Sequence, residues 1–224
     1  MRQLIIAVDG PAGSGKSTVA LQVAQRLGLR YIDTGAMYRA MAWQVLHQGI
    51  SPKDALKVAA VVLETNLEVF AMADGMGVRV NGQDVTGAIR SEAISEATSA
   101  IAVIPEVRER MIAIYRALGR SGGAVIEGRD IGSVAFPDAD LKVYLTANEY
   151  VRADRRLRQL GMEADASSLA RIEDAIRQRD EQDSRRKHSP LMRAADAVEV
   201  DTSEMTIEQV CMRVVELALQ RAGQ

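Results

Sequence analysis

Gly10-Pro11-Ala12-Gly13-Ser14-Gly15-Lys16-Ser17 matches, without a substitution, the pattern G-x-x-x-x-G-K-[ST]. In that pattern backbone N–H groups wrap a phosphate, and three glycines leave no side chain to block the approach. Lys16 can reach β- and γ-phosphates, and the Ser17 hydroxyl is placed to ligate Mg²⁺. The bland alternative is a glycine-rich turn that merely joins two elements. The flanks argue against it. Leu4-Ile5-Ile6-Ala7-Val8 is an unbroken apolar run, as in a strand buried on both faces. Val19, Val23 and Leu27 then recur at helical spacing, and Gly28 stands where a helix terminator belongs. A strand, a loop and a helix in that order aim a helix N-terminus at the bound charge. The chain is expected to bind a nucleoside triphosphate.

What happens to that triphosphate depends on what faces it. Phosphoryl transfer needs positioning, Mg²⁺ and positive charge around the moving group, and little covalent help. The sequence offers Arg39, Arg108, Arg129 and a run of cations over 152–193 that includes Arg152, Arg155, Arg156, Arg179, Arg186 and Lys187. Arginine suits bidentate phosphate contacts. The ordinary reading of any one of them is a solvated surface charge, and that reading is weakest for Arg129, at the exit of a buried strand beside Asp130. Asp9, Asp33, Glu127 and Asp130 are acids at or near strand ends. They could orient waters on a metal, accept from a substrate, cap helices or balance neighbouring arginines.

The elements that must position these groups alternate. Apolar strands are expected at 4–8, 30–33, 124–126, 141–145 and 197–200, with helices between them, which argues for a parallel, doubly wound α/β sheet. In such sheets ligands gather beyond the strand carboxyl ends, bringing Gly10 to Ser17, Asp33-Thr34, Glu127 to Asp130 and Asp201 to one edge. Thr34-Gly35 reads as a turn opening a helix, and Ser51-Pro52 as the start of the next, with Ala55, Val58, Ala59, Val62 and Leu63 packing. Between 67 and 85 the period changes to alternation, and Asn81-Gly82 predicts a hairpin turn, so a small antiparallel insert is expected. A helix from Pro105 is closed by Gly119. Asn148 caps a helix through Leu160, and Thr206 to Gln209 carries the capping-box pattern of the last helix.

At 224 residues, 47% hydrophobic and 26% charged, the chain has the composition of a soluble globular protein. Its 28 Lys+Arg against 30 Asp+Glu give a net charge of -2, which disfavours a general nucleic-acid binder. Cys211, the single cysteine, allows no internal disulfide and shares an apolar helical face with Ile207, Val214 and Ala218. His47 and His188 share no ligand spacing, so no structural zinc is expected. No apolar stretch approaches membrane-spanning length, and the first strand begins too early for a signal peptide, so a cytoplasmic protein with no membrane partner is expected.

The motifs together resemble bacterial cytidylate kinases, of the nucleoside monophosphate kinase group. The resemblance rests on Asp9 to Thr18, Tyr31-Ile32-Asp33-Thr34-Gly35-Ala36-Met37-Tyr38-Arg39, Glu127-Gly128-Arg129-Asp130-Ile131-Gly132 and Phe136-Pro137-Asp138-Ala139. It continues through Arg179-Asp180 with Asp183 and Arg186, Ser189-Pro190-Leu191, and Ala195-Asp196-Ala197 to Asp201-Thr202-Ser203. It implies a P-loop-type doubly wound five-stranded parallel sheet with helices on both faces, an antiparallel insert and a short helical lid. One kinase domain, 1–224, would comprise a core (1–33, 120–151, 191–224), a monophosphate-binding region (34–119) and a lid (152–190). The ATP-binding residues would be Gly10, Pro11, Ala12, Gly13, Ser14, Gly15, Lys16, Ser17 and Thr18, with Mg²⁺ on Ser17. Thr34, Arg39, Arg129 and Arg186 would hold the acceptor phosphate, Ser99, Arg108 and Asp130 the pyrimidine, and Arg179 with Asp183 the ribose. Arg152, Arg155 and Arg156 would close over the triphosphate; the catalytic set would be Lys16, Arg129, Arg186, Arg155 and Arg156. The implied reaction transfers the γ-phosphate of Mg·ATP to CMP or dCMP, in a monomer. Competing readings are a P-loop kinase for UMP, dephospho-coenzyme A or shikimate, and a nucleotide-dependent switch ATPase.

Overall fold

The computed structural model describes residues 4–120, 122–162, 165–186 and 189–223. Lys187, His188 and residues 163–164 of the expected lid lie outside the described residues. The chain divides into two compact units, one of residues 1–30 with 122–224, the other of residues 31–121.

The first unit is built on buried parallel strands. β1 (Ile5–Asp9) lies between β6 (Ala124–Glu127) and β7 (Leu141–Thr146), and β7 pairs in parallel with β8 (Val198–Asp201). With β2 (Arg30–Asp33) the five-stranded order is β2-β6-β1-β7-β8, and helices lie on both faces. Ile6, Ala7, Val8, Val125 and Ile126 are fully buried, which is why these strands read as unbroken apolar runs. α1 (Lys16–Leu27) packs Val19, Ala20 and Val23 inward and ends at Gly28 in the left-handed conformation. α8 (Ile207–Ala222) packs beside it, started by the expected capping box of Thr206 and Gln209. Cys211, Val214 and Ala218 share its buried face, but Ile207 is half exposed, because as the first residue of the helix it precedes the turn that meets the core. The cation-rich segment folds as two helices, α6 (Glu149–Leu160), capped by Asn148, and α7 (Ala166–Ser184), capped by Asp165.

The second unit holds α2 (Thr34–His47), α3 (Ala55–Glu64), the antiparallel sheet β3 (Leu67–Met72), β4 (Gly75–Val80) and β5 (Gln83–Asp84), then α4 (Glu92–Ile101) and α5 (Pro105–Arg120). Asn81 and Gly82 both adopt positive φ, 50° and 82°, as a two-residue hairpin turn requires. Phe70 lies over Gly77 and under the Arg79 guanidinium, 4.3 Å from its ring centre. Three expectations need correction. Thr34 and Gly35 belong to α2 rather than to a turn, because the Asp33 carboxylate accepts the Ala36 N–H and caps the helix there. α3 starts three residues after Pro52: Asp54 accepts from the Lys57 N–H and outcompetes Ser51 as the cap, and Ala55 and Leu63 then face outward while Val61 is buried. α5 runs one residue past Gly119.

Gly10, where β1 leaves the sheet, has φ +150°, and a Cβ there would run into the Leu145 carbonyl oxygen of β7. Gly10→Ala is therefore expected to cost about 3 kcal/mol by combined strain and overpacking, read as a lower urea midpoint. Unchanged stability would mean that the β1–β7 junction yields freely.

Candidate active site

The loop after β1 has the properties of an anion cradle. Gly13 and Gly15 sit at φ +74° and +89°, and Gly15 is the N-cap of α1, with no side chain capping the helix. The N–H groups of Gly13, Ser14 and Gly15 find no acceptor among the described residues. Uncapped N–H groups at a helix start favour bound negative charge. Lys16 is 5% exposed, and its ammonium donates to the Pro11 carbonyl (2.6 Å) and to Ser14 Oγ (3.3 Å). Burial, and then the Arg129 charge, push its pKa down to about 7, against the opposing pull of Glu127, Asp180 and Asp9. Ser17 and Thr18 are exposed at the start of α1. Among the described residues no group of three His, Cys, Asp or Glu could hold a metal.

Beside this loop, Asp9 fixes the segment after β6. Its Oδ1 accepts the Ile131 N–H (2.9 Å) and its Oδ2 the Gly132 N–H (2.7 Å), at the start of a π-helix over Ile131–Ala135. Burial raises the Asp9 pKa to about 6 in spite of those two donors, and Asp130 adds to the rise. From the other side the Lys142 stem lies against Gly132, and its ammonium donates to the Pro137 carbonyl and the Asp196 carboxylate. Both anchors act on the residues that directly follow Arg129 and Asp130. Arg129 Nε donates to Asp183 Oδ2 at 3.0 Å, and Asp183, 2% exposed, also pairs with Arg186. Asp183 and Arg179 both lie on α7.

The three cations expected to close over a triphosphate take different places. Arg155 donates two hydrogen bonds to Thr202, to Oγ1 (2.8 Å) and to the carbonyl (2.7 Å), and its guanidinium is the group nearest the open side of Gly15. Arg156 bonds Gln159 on its own helix. Neighbouring helical positions point about 100° apart, and the two guanidiniums accordingly meet different partners here. Arg152 is buried and donates to the Ala12 carbonyl at 3.0 Å while pairing with Asp180. In this structure it meets the phosphate loop itself.

In the other unit, Arg39 pairs with Asp33 at 3.2 Å, and Gly35 leaves room for that contact. Thr34 is buried. Ser99 Oγ donates back to the Ser95 carbonyl (3.4 Å), and Arg108, 4% exposed, donates to the Ala102 carbonyl (3.2 Å). Asp180 and Thr202 lie within motifs quoted from the sequence but carried no assigned role, and Lys142 was not singled out. The available signal was the i, i+3 spacing of Asp180 and Asp183, which puts both on one face of a helix.

A family model described as cytidylate kinase matches residues 6–220. The chain belongs to the cytidylate kinase family. It is 43% identical to a cytidylate kinase of Geobacillus thermodenitrificans over 99% of both chains. It is 47% identical, over 98% of its own length, to a bifunctional pantoate ligase/cytidylate kinase of Synechococcus elongatus, of which it spans 43%. A solved structure of an uncharacterized protein from Eubacterium ventriosum shares the fold, with a TM-score of 0.52 at 11% identity over 96% of this chain and 98% of that one. No helix among the described residues is long and apolar enough to cross a membrane.

The depressed Lys16 pKa has a sign that can be measured. A polyphosphate favours the charged ammonium, so above about pH 7, where free Lys16 loses its proton, ATP binding should take one up. Calorimetry in buffers of different ionisation enthalpy should show uptake growing from pH 7 to 8.5, beyond the nucleotide's own contribution, and Lys16→Met should abolish the difference. Equal proton uptake by both proteins would contradict the assignment.

Proposed function

We propose that this chain transfers the γ-phosphate of ATP to CMP or dCMP, giving the diphosphate and ADP. The observation that carries the reading is a pair of cationic grips in one unit: Lys16 in the phosphate loop, and Arg129 with Arg186 gathered on Asp183, with the Arg129 charge felt at Lys16. Two polyanions brought together need such charge on both sides.

In this reading the loop from Gly10 to Thr18 binds the triphosphate, and Lys16 bridges the donor and the incoming phosphate. Arg129 and Arg186, with Thr34 and Arg39, hold the acceptor phosphate. Its attacking oxygen is already ionised near neutral pH, so no general base and no covalent intermediate are needed. Asp130 accepts from the cytosine amino group, while Ser99 and Arg108 donate to the ring. Arg179 and Asp183 hold the ribose, and Arg155 completes the cover over the triphosphate, excluding water as a competing acceptor. Mg²⁺ bound by Ser17 and the nucleotide would neutralise phosphate charge.

Initial rates with Mg·ATP and CMP, dCMP, UMP, AMP, TMP, shikimate or dephospho-coenzyme A test this. CMP and dCMP should be turned over fastest; a faster rate with any other acceptor would sink the proposal. Asp130→Ala should weaken CMP binding by about 2–4 kcal/mol and leave ATP binding within about twofold. Lys16→Ala should depress kcat by about 10²-fold or more with CMP affinity nearly unchanged.

A further inference from the structure

α6 and α7 grip the phosphate loop from both sides of a single residue. The Ala12 N–H donates to Asp180 Oδ1 at 3.0 Å, and the Ala12 carbonyl accepts from Arg152 Nη1 at 3.0 Å. Arg152 and Asp180 pair with each other, their side chains 8% and 17% exposed, which closes a ring of three contacts. The backbone joins in: a Cβ on Gly13 would lie 2.8 Å from the Arg152 carbonyl oxygen and 3.0 Å from its Cβ, so α6 itself lies against the loop. One turn along α7 from Asp180, Asp183 pairs with Arg129 and Arg186. The same helix face thus carries one carboxylate to the loop and the next to two arginines.

A loop with Gly10, Gly13 and Gly15 has little stiffness of its own, and ordering it on binding would cost affinity. Contacts made before the nucleotide arrives remove that cost. Asp180 also neutralises Arg152, so Arg152 adds little field at the phosphates and acts on the loop's shape instead.

We propose that Arg152 and Asp180 are positioning residues that hold the phosphate loop in its ATP-binding shape and tie it, through α7, to Arg129 and Arg186. The proposal extends the phosphotransfer reading, but its first test needs only ATP.

Titration calorimetry of Mg·ATP and, separately, of CMP should be run on the full chain and on Asp180→Asn, Arg152→Lys and the double variant, with melting curves alongside. Each single change should weaken ATP about tenfold or more, the loss expected when a charged hydrogen bond is removed, with CMP affinity within about threefold. The double variant should bind ATP no worse than the weaker single one, because both changes break one device. Asp180→Glu keeps the charge while displacing it from the Ala12 N–H; it should also lose ATP affinity, and it serves if the Asn variant does not fold. Unchanged ATP affinity, additive losses, or parallel loss of ATP and CMP with a falling Tm would overturn the proposal. Absence of CMP binding by the unsubstituted chain would instead count against the phosphotransfer reading and leave the ATP comparison decisive for this one.

Discussion

At the carboxyl ends of β1 and β6, Asp9, Lys16, Glu127 and Asp130 are buried, and Arg152 and Asp183 are buried close by in the same unit. Charges removed from water are costly unless each meets a partner of good geometry. Asp9 meets two backbone N–H groups, Asp183 meets two guanidiniums, and Arg152 meets Asp180 and a carbonyl. Lys16 donates to neutral partners, a carbonyl and a hydroxyl, and burial together with the Arg129 charge pushes its pKa down to about 7. A strongly anionic ligand at the loop would favour its charged form.

The partners also set geometry. Asp9 accepts from Ile131 and Gly132 and the Lys142 stem lies against Gly132, so the backbone just after Arg129 and Asp130 is pinned before any ligand binds. Thr202 does the same for Arg155 at the end of β8, and its own hydroxyl also lies near the Thr146 and Ser14 carbonyls. Held rotamers of this kind reduce what must be ordered in the transition state. In this account the parallel sheet acts as a frame, and the chemistry falls to the side chains that the frame obliges to pair.

Local features were legible in the sequence where a local rule decides them. The phosphate loop, Gly28, the Asn81-Gly82 turn, and the caps Asn148 and Thr206 each need only a few neighbouring residues. Legibility ended where a distant partner decides. The π-helix after Asp130 depends on Asp9, 122 positions earlier. The start of α3 turned on a contest between Ser51 and Asp54 that both residue types could win. Arg152 shares a helix face with Arg155 and Arg156, at i+3 and i+4, yet which one meets the loop, Thr202 or its own helix depends on how α6 docks.

The proposed reaction puts two phosphate grips in one site, so a single molecule spanning both should be held by both. The most direct test is the affinity of cytidine and adenosine joined 5′ to 5′ through five phosphates, measured beside ATP and CMP alone. Competition with both ATP and CMP is expected, with binding at least about tenfold tighter than ATP from the joined sites. Competition with ATP only, at no better than ATP's affinity, would contradict it.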